Sequence, residues 1–299
     1  MNNPTENPPA PNDDANVILS FPKSGRTWLS YLYAYYACYR VIGDSADSFI
    51  ERELTPTAHI YRPLEHPALL ALLRNIERPI VPPLRVAHHF EPTPYFRLDL
   101  PLAKVRGEHV AVLVRDPRDV VVSYFHHTMQ RAEEARARRK TTLAPDVDLS
   151  EFIRSETYGI RAIVEYMNQM SERGPEAFDV FRIWYYEDLV SDPETLFAGI
   201  LEFFRARVDM KAVQSVVARA SFANLQRLEI QRRTEKSGTA PTTNALRFRR
   251  GVPGSYRAEL HPPDINYLNK VIERHLDPEF ARYQPSAHRR DHLDAAATI

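Results

Sequence analysis

Three continuous apolar runs, Val17-Ile18-Leu19-Ser20-Phe21, His109-Val110-Ala111-Val112-Leu113-Val114 and Val180-Phe181-Arg182-Ile183-Trp184-Tyr185, set the pattern of the chain. A short apolar run bounded by Pro or Gly fits a strand buried on both faces of a parallel sheet. Leu84 to Phe90 reads as a shorter strand that ends in His88-His89. Apolar residues at helical spacing predict helices over 27–40, 193–204 and about 66–77, 149–171, 209–229 and 263–275. Another starts after Asp116, which suits an N-cap, with Pro117 at the first helical position and Asp119 completing the cap. Strands separated by long helical connections predict an α/β fold around a mainly parallel sheet.

The ends differ from this body. Pro4, Pro8, Pro9 and Pro11 among Asn and Asp predict a disordered tail over 1–15. A single domain is expected over 16–284, followed by a weakly ordered tail over 285–299, and no internal repeat is found. With 299 residues the chain can bury a substantial core. Lys plus Arg and Asp plus Glu both number 39, which argues against a nucleic-acid coat or a membrane-surface binder while leaving room for a local basic pocket. Cys38 is the only cysteine, so neither an intrachain disulfide nor a cysteine metal cluster is possible, and a reducing, cytoplasmic setting is expected. No apolar run approaches the roughly 20 residues of a membrane span, and residues 1–16 lack the features of a signal peptide.

Ligands of open parallel sheets sit past the carboxyl ends of the strands. Past the first run lies Phe21-Pro22-Lys23-Ser24-Gly25-Arg26-Thr27-Trp28. A turn leading straight into a helix aims backbone N–H groups at one point, and an anion fits there. Lys23 adds a charge, and Ser24 and Thr27 add hydroxyls. This is not a Walker A loop, in which Lys follows a second Gly; here Lys23 precedes Gly25, which weakens a nucleoside-triphosphate reading. Past the second run, Arg115 and Ser123 are placed to hold a second phosphate.

Four blocks now form an ordered set. Residues 21–28 resemble the 5′-phosphosulfate loop, Y-P-K-S-G-T-T-W, of the cytosolic-type sulfotransferases. Arg115-Asp116-Pro117-Arg118-Asp119 through Ser123-Tyr124 resembles their R-N-P-K-D-x-x-x-S-Y segment. Tyr186-Glu187-Asp188-Leu189 is similar to Y-E-D-M/L, and Arg249-Arg250-Gly251-Val252-Pro253-Gly254-Ser255-Tyr256 to R-K-G-x-x-G-D-W, with an ending associated with bacterial members. The likeness spans residues 17 to 283.

The resemblance implies a P-loop-like three-layer fold with helices flanking the sheet. It also implies transfer of a sulfuryl group from 3′-phosphoadenosine 5′-phosphosulfate (PAPS), without a metal, to a hydroxyl or amine of a small-molecule acceptor. Carried over by position, Lys23, Ser24, Gly25, Arg26 and Thr27 hold the 5′-phosphosulfate. Arg115, Ser123, Arg249, Arg250 and Gly251 hold the 3′-phosphate, while Trp28, Tyr186 and Phe222 contact adenine. His88 becomes the base, with His89 one register step away; a strand turns only one of the two toward the cleft. Lys23 stabilises the departing oxygen, and Ser123 restrains Lys23 until the acceptor arrives.

Departures from the pattern are specific. Val86 and Ala87 stand where the family has Lys and Thr, so one positive contact to the sulfuryl group is missing. Arg26 and Ala220 each replace a Thr, and the dimer segment of animal members is not recognisable after Gly251. Residues 44–67, 126–148 and 232–246 are expected to line the acceptor pocket. The charged run 131–140 is either a basic lid or a solvated helix extension, and such runs usually face water. A P-loop kinase using ATP and a non-catalytic protein binding PAPS or its product PAP are the alternatives.

Overall fold

Successive residues of β1 (Asn16–Leu19) face opposite layers of the protein. Val17 and Leu19 join one buried cluster, and Ile18 joins another on the opposite face. β3 (Val110–Val114) divides in the same way: Val110, Val112 and Val114 lie on the first side, Ala111 and Leu113 on the second. With both faces covered, the run has no polar side to show, which is why it reads as continuously apolar. β2 (Leu84–Val86) and β4 (Phe181–Tyr185) complete a parallel sheet in the order β2-β1-β3-β4. In register, Val17 lies opposite Val110 and Val112 opposite Ile183. The computed structural model describes residues 16–54, 63–74, 80–82, 84–86, 109–137 and 147–285, without the side chains of Arg85, Val86 and residues 134–137. The predicted tail over 1–15, residues 286–299 of the other tail, and Ala87, His88 and His89 lie outside these residues.

α1 (Arg26–Ile42) follows β1, and a single turn, α2 (Ala46–Phe49), leads to α3 (Pro67–Leu73). α4 (Pro117–Ala137) follows β3, and α7 (Tyr186–Ser191) and α8 (Pro193–Phe203) follow β4. The helix predicted over 149–171 is two helices, α5 (Leu149–Arg154) and α6 (Ile160–Ala177). Ser155 turns extended there, and a side chain at Gly159 would strike the carbonyls of Ile153 and Ser155. The helix predicted over 209–229 likewise divides into α9 (Met210–Arg219) and α10 (Phe222–Ser237), because Ser221 caps the second by accepting the N–H of Asn224. α11 (Pro262–His275) closes the layer that contains α4 and α6. No described helix is long and apolar enough to cross a membrane.

Asp116 caps α4 as expected, accepting the Arg118 N–H at 2.9 Å. Asp119 does not share in the cap. Its carboxylate instead accepts the N–H groups of Gly254 at 2.7 Å and Tyr256 at 2.9 Å, clamping a turn 135 residues away onto the start of α4. Arg118 is 1% exposed and forms a two-pronged pair with Asp116. It also donates to Asn269 and to the Tyr283 carbonyl. Cys38 is buried in α1, where burial pushes its thiol up to about 12 and leaves it unreactive.

Candidate active site

The turn between β1 and α1 is strained where it carries the lysine. Lys23 has φ 77° and Gly25 φ 100°, both left-handed. That conformation costs a residue with a Cβ about 1–2 kcal/mol, and such strain persists only where the surroundings impose it. At Gly25 a Cβ would stand 2.5 Å from the Tyr186 ring, so the close approach of these two segments requires glycine. α1 begins at Arg26 with no side-chain cap, leaving its first N–H groups to other partners.

Lys23 lies in a crowd of cations. Its ammonium donates to the main-chain carbonyl of Arg247 at 3.4 Å. Burial lowers its pKa, the charges of Arg247, Arg115 and Arg249 lower it further against the opposing pull of Glu229, and it falls to about 7. Ser123, the residue expected to restrain Lys23, sits half-buried two turns into α4. Arg115 is 7% exposed, and its guanidinium carbon lies over the Tyr186 ring, 4.5 Å from its centre. One terminal nitrogen reaches the Lys23 carbonyl at 3.4 Å and the other faces Asp119 at 3.5 Å. Its buried Nε has no hydrogen-bond partner among the described residues. An unsatisfied buried donor beside a buried amine of lowered pKa is what an anion would complete.

The predicted aromatic residues meet. Trp28 stands edge-on to Tyr186 and Phe222, with ring centres 6.1 and 6.5 Å apart. The Trp28 indole N–H donates to the Ala220 carbonyl at 2.8 Å, fixing α1 against the start of α10. Gly251 has φ 70°, and a Cβ there would enter the Phe222 ring. Phe222 is half-buried whereas Trp28 and Tyr186 are nearly covered, so Phe222 presents more of its ring than either.

Arg249 and Arg250 are brought together by a carboxylate the sequence did not single out. Arg249 Nη1 and Arg250 Nε lie 2.5 and 3.3 Å from the same oxygen of Glu259, and His126 Nε2 lies 2.6 Å from the other. Burial alone would raise the Glu259 pKa, but hydrogen bonds from His126 and Arg249 hold it down at about 2.

Three further residues were missed. Glu229, fully buried, accepts the N–H groups of Arg247 and Phe248 at 2.9 Å and pairs with Arg233 Nε at 3.0 Å. Arg247 itself reaches the Thr27 hydroxyl at 3.4 Å. Its signal was its place two residues before Arg249, in the same arginine-rich stretch Arg247-Phe248-Arg249-Arg250. His127 lies one turn beyond Ser123, and burial followed by the charges of Lys23, Arg247 and Arg131 brings its imidazole down to about 2. Glu229 gave no signal, since nothing in the sequence separates it from the other charged residues of α10. Of the charged run 131–140, α4 carries the first seven residues as a helix extension, with Arg131 and Glu133 exposed.

Known proteins resemble this chain along most of its length. A family model described as Sulfotransferase domain matches residues 13–279. A flavonol 4′-sulfotransferase of Flaveria chlorifolia is 26% identical over 273 residues, covering 88% of this chain and 79% of the relative. A flavonol 3-sulfotransferase of Flaveria bidentis is 23% identical, covering 89% and 82%. Among solved structures, retinol dehydratase in complex with retinol and PAP superposes with a TM-score of 0.54 at 17% identity, over 90% of this chain and 83% of that one. Mouse sulfotransferase SULT7A1 complexed with PAP gives 0.51 at 16% identity, over 88% and 85%. At these identities the two structures speak to the fold.

Proposed function

Because the chain belongs to the sulfotransferase domain family, and with it to the enzymes that draw on PAPS, we propose that it sulfates a hydroxyl of a small molecule with His88 as the base. The supporting observation is the convergence of four distant segments on Lys23 and Arg115: the β1–α1 turn, the start of α4, Tyr186 and residues 247–251. The residues fit a polyanionic nucleotide. Lys23, Arg115, Arg247 and Arg249 act on one another there, and the Arg115 Nε has a bond left to give.

Bound PAPS supplies a sulfuryl group already activated by its bond to a 5′-phosphate. Lys23, Ser24, Gly25, Arg26 and Thr27 would hold the phosphosulfate. Arg115, Ser123, Arg249, Arg250 and the main chain of Gly251 would hold the 3′-phosphate, and Trp28, Tyr186 and Phe222 the adenine. Lys23, kept in its protonated form by the anion beside it, would stabilise charge on the phosphate oxygen that departs. A ring nitrogen of His88 would take the acceptor's proton as its oxygen attacks sulfur. Positioning and fixed charge supply the remaining acceleration, as in phosphoryl transfer.

The names of the flavonol relatives support a phenolic hydroxyl as the first acceptor class to test, ahead of an amine. A cytosolic sulfotransferase of Arabidopsis thaliana, 23% identical, supports a cytoplasmic location. The test is turnover of a flavonol panel by His88→Ala, His89→Ala and His127→Ala. His88→Ala should bind PAP like the parent and lose turnover. Loss confined to one of the other two variants would move the base to that residue.

A further inference from the structure

Arg247 is held on both sides by groups of the same cleft. Its carbonyl receives the Lys23 ammonium at 3.4 Å, and its guanidinium Nη1 lies 3.4 Å from the Thr27 hydroxyl at the start of α1. Its N–H is gripped by both oxygens of Glu229, at 2.9 and 3.0 Å, and the next N–H by one of them at 2.9 Å. A fully buried carboxylate is a costly way to fix two main-chain groups unless the segment must stay in one place. What the segment positions is a guanidinium two residues ahead of Arg249, facing the turn that carries Lys23.

We propose that Arg247 supplies the positive charge that contacts the transferred sulfuryl group, and that Glu229 is the residue that positions it. The inference rests on the PAPS reading and adds to it a residue outside the resemblance. A cation is needed near the sulfuryl oxygens, and the sequence offers Val86, the last residue of β2, and Ala87 in its place. Arg247 comes to the same cleft from the opposite end of the chain. A planar guanidinium can hold two oxygens of a sulfuryl group at once, and it stays charged beside Lys23 where a second lysine would lose its proton.

PAP lacks the sulfuryl group and PAPS carries it, so the two ligands separate this role from general anion binding. Calorimetry without acceptor should show Arg247→Ala losing at least about tenfold in PAPS affinity, with PAP affinity changed by less than about threefold. Arg247→Lys, a single-point donor that the bound sulfuryl group would have to keep charged, should recover only part of the PAPS affinity, and Arg247→Gln, which keeps bulk without charge, should recover none. Glu229→Gln, which keeps the shape of the clamp but turns one acceptor into a donor, should show a weaker form of the same selective loss. PAP and PAPS affinities that fall together, or that both stay unchanged, in Arg247→Ala and Arg247→Gln would overturn the inference while leaving the cofactor reading intact. A parent protein that fails to bind PAP would overturn both.

Discussion

The Tyr186 hydroxyl donates to the main-chain carbonyl of Gly251 at 2.9 Å, joining the end of β4 to a loop 65 residues further on. The same ring carries Arg115 on its face and leaves no room for a side chain at Gly25. One tyrosine thus sets the spacing of three segments that the sequence assigns to one ligand. Tyr186→Phe keeps the ring and removes the tie. A single neutral hydrogen bond is worth about 0.5–1.5 kcal/mol, so PAP affinity should fall by roughly two- to tenfold with the melting temperature little changed. An unaltered affinity would mean that the loop holds its place without Tyr186.

Gly25→Ala and Gly251→Ala test the close approaches directly. Each adds one carbon at a left-handed backbone, and that carbon meets the ring of Tyr186 or Phe222. Both variants should fold and lose detectable PAP binding in a thermal-shift assay. Binding retained by either would show that the rings can move aside.

The pKa of Lys23 near 7 gives two pH dependences of opposite sign. Between pH 7 and the ordinary lysine value the unliganded native state binds fewer protons than the unfolded chain, so the Lys23 contribution to stability rises with pH across that window. An anionic ligand restores the proton, so PAP affinity should fall as pH rises from about 7.5 to 9, a range above the second phosphate ionisation near 6. Lys23→Met should flatten both trends. Calorimetry that finds no pH dependence in the parent over this range would show that Lys23 stays charged without ligand.

The pair of Arg118 and Asp116 is structural and should behave differently from the cleft residues. Removing one partner of a buried ion pair leaves the other uncompensated, at about 3–5 kcal/mol. Arg118→Ala should lose stability on that scale in urea, because Asp116, Asn269 and the Tyr283 carbonyl all lose a donor. A change under about 1 kcal/mol, the scale of an exposed pair, would mean that water reaches Asp116 freely.

Most of the sheet was legible because its strands are buried on both faces, so Val17 to Leu19 and Val110 to Val114 show no polar alternation to confuse the reading. The breaks inside 149–171 and 209–229 were not legible, since α5 ends at Ser155 and α10 starts from Ser221 without a proline to mark either place. At the site, Lys23, Arg115, Tyr186, Gly251 and Phe222, singled out far apart in the sequence, lie against one another in turn. The residues that hold them were hidden for a physical reason. Asp119, Glu229 and Glu259 bond to main-chain N–H groups or arginines far away in sequence, and nothing in their own neighbourhoods separates them from surface acids. Arg247 was passed over because the arginine pair beside it drew the reading.

Binding of PAP, measured beside ADP and beside ATP with Mg²⁺, tests the cofactor assignment most directly. Tight binding of PAP that is indifferent to the metal and at least about a hundredfold stronger than ADP binding is expected, since the 3′-phosphate gains charge-assisted bonds at Arg115, Arg249 and Arg250. A preference for ATP with Mg²⁺ would contradict it and return the chain to the P-loop kinase reading.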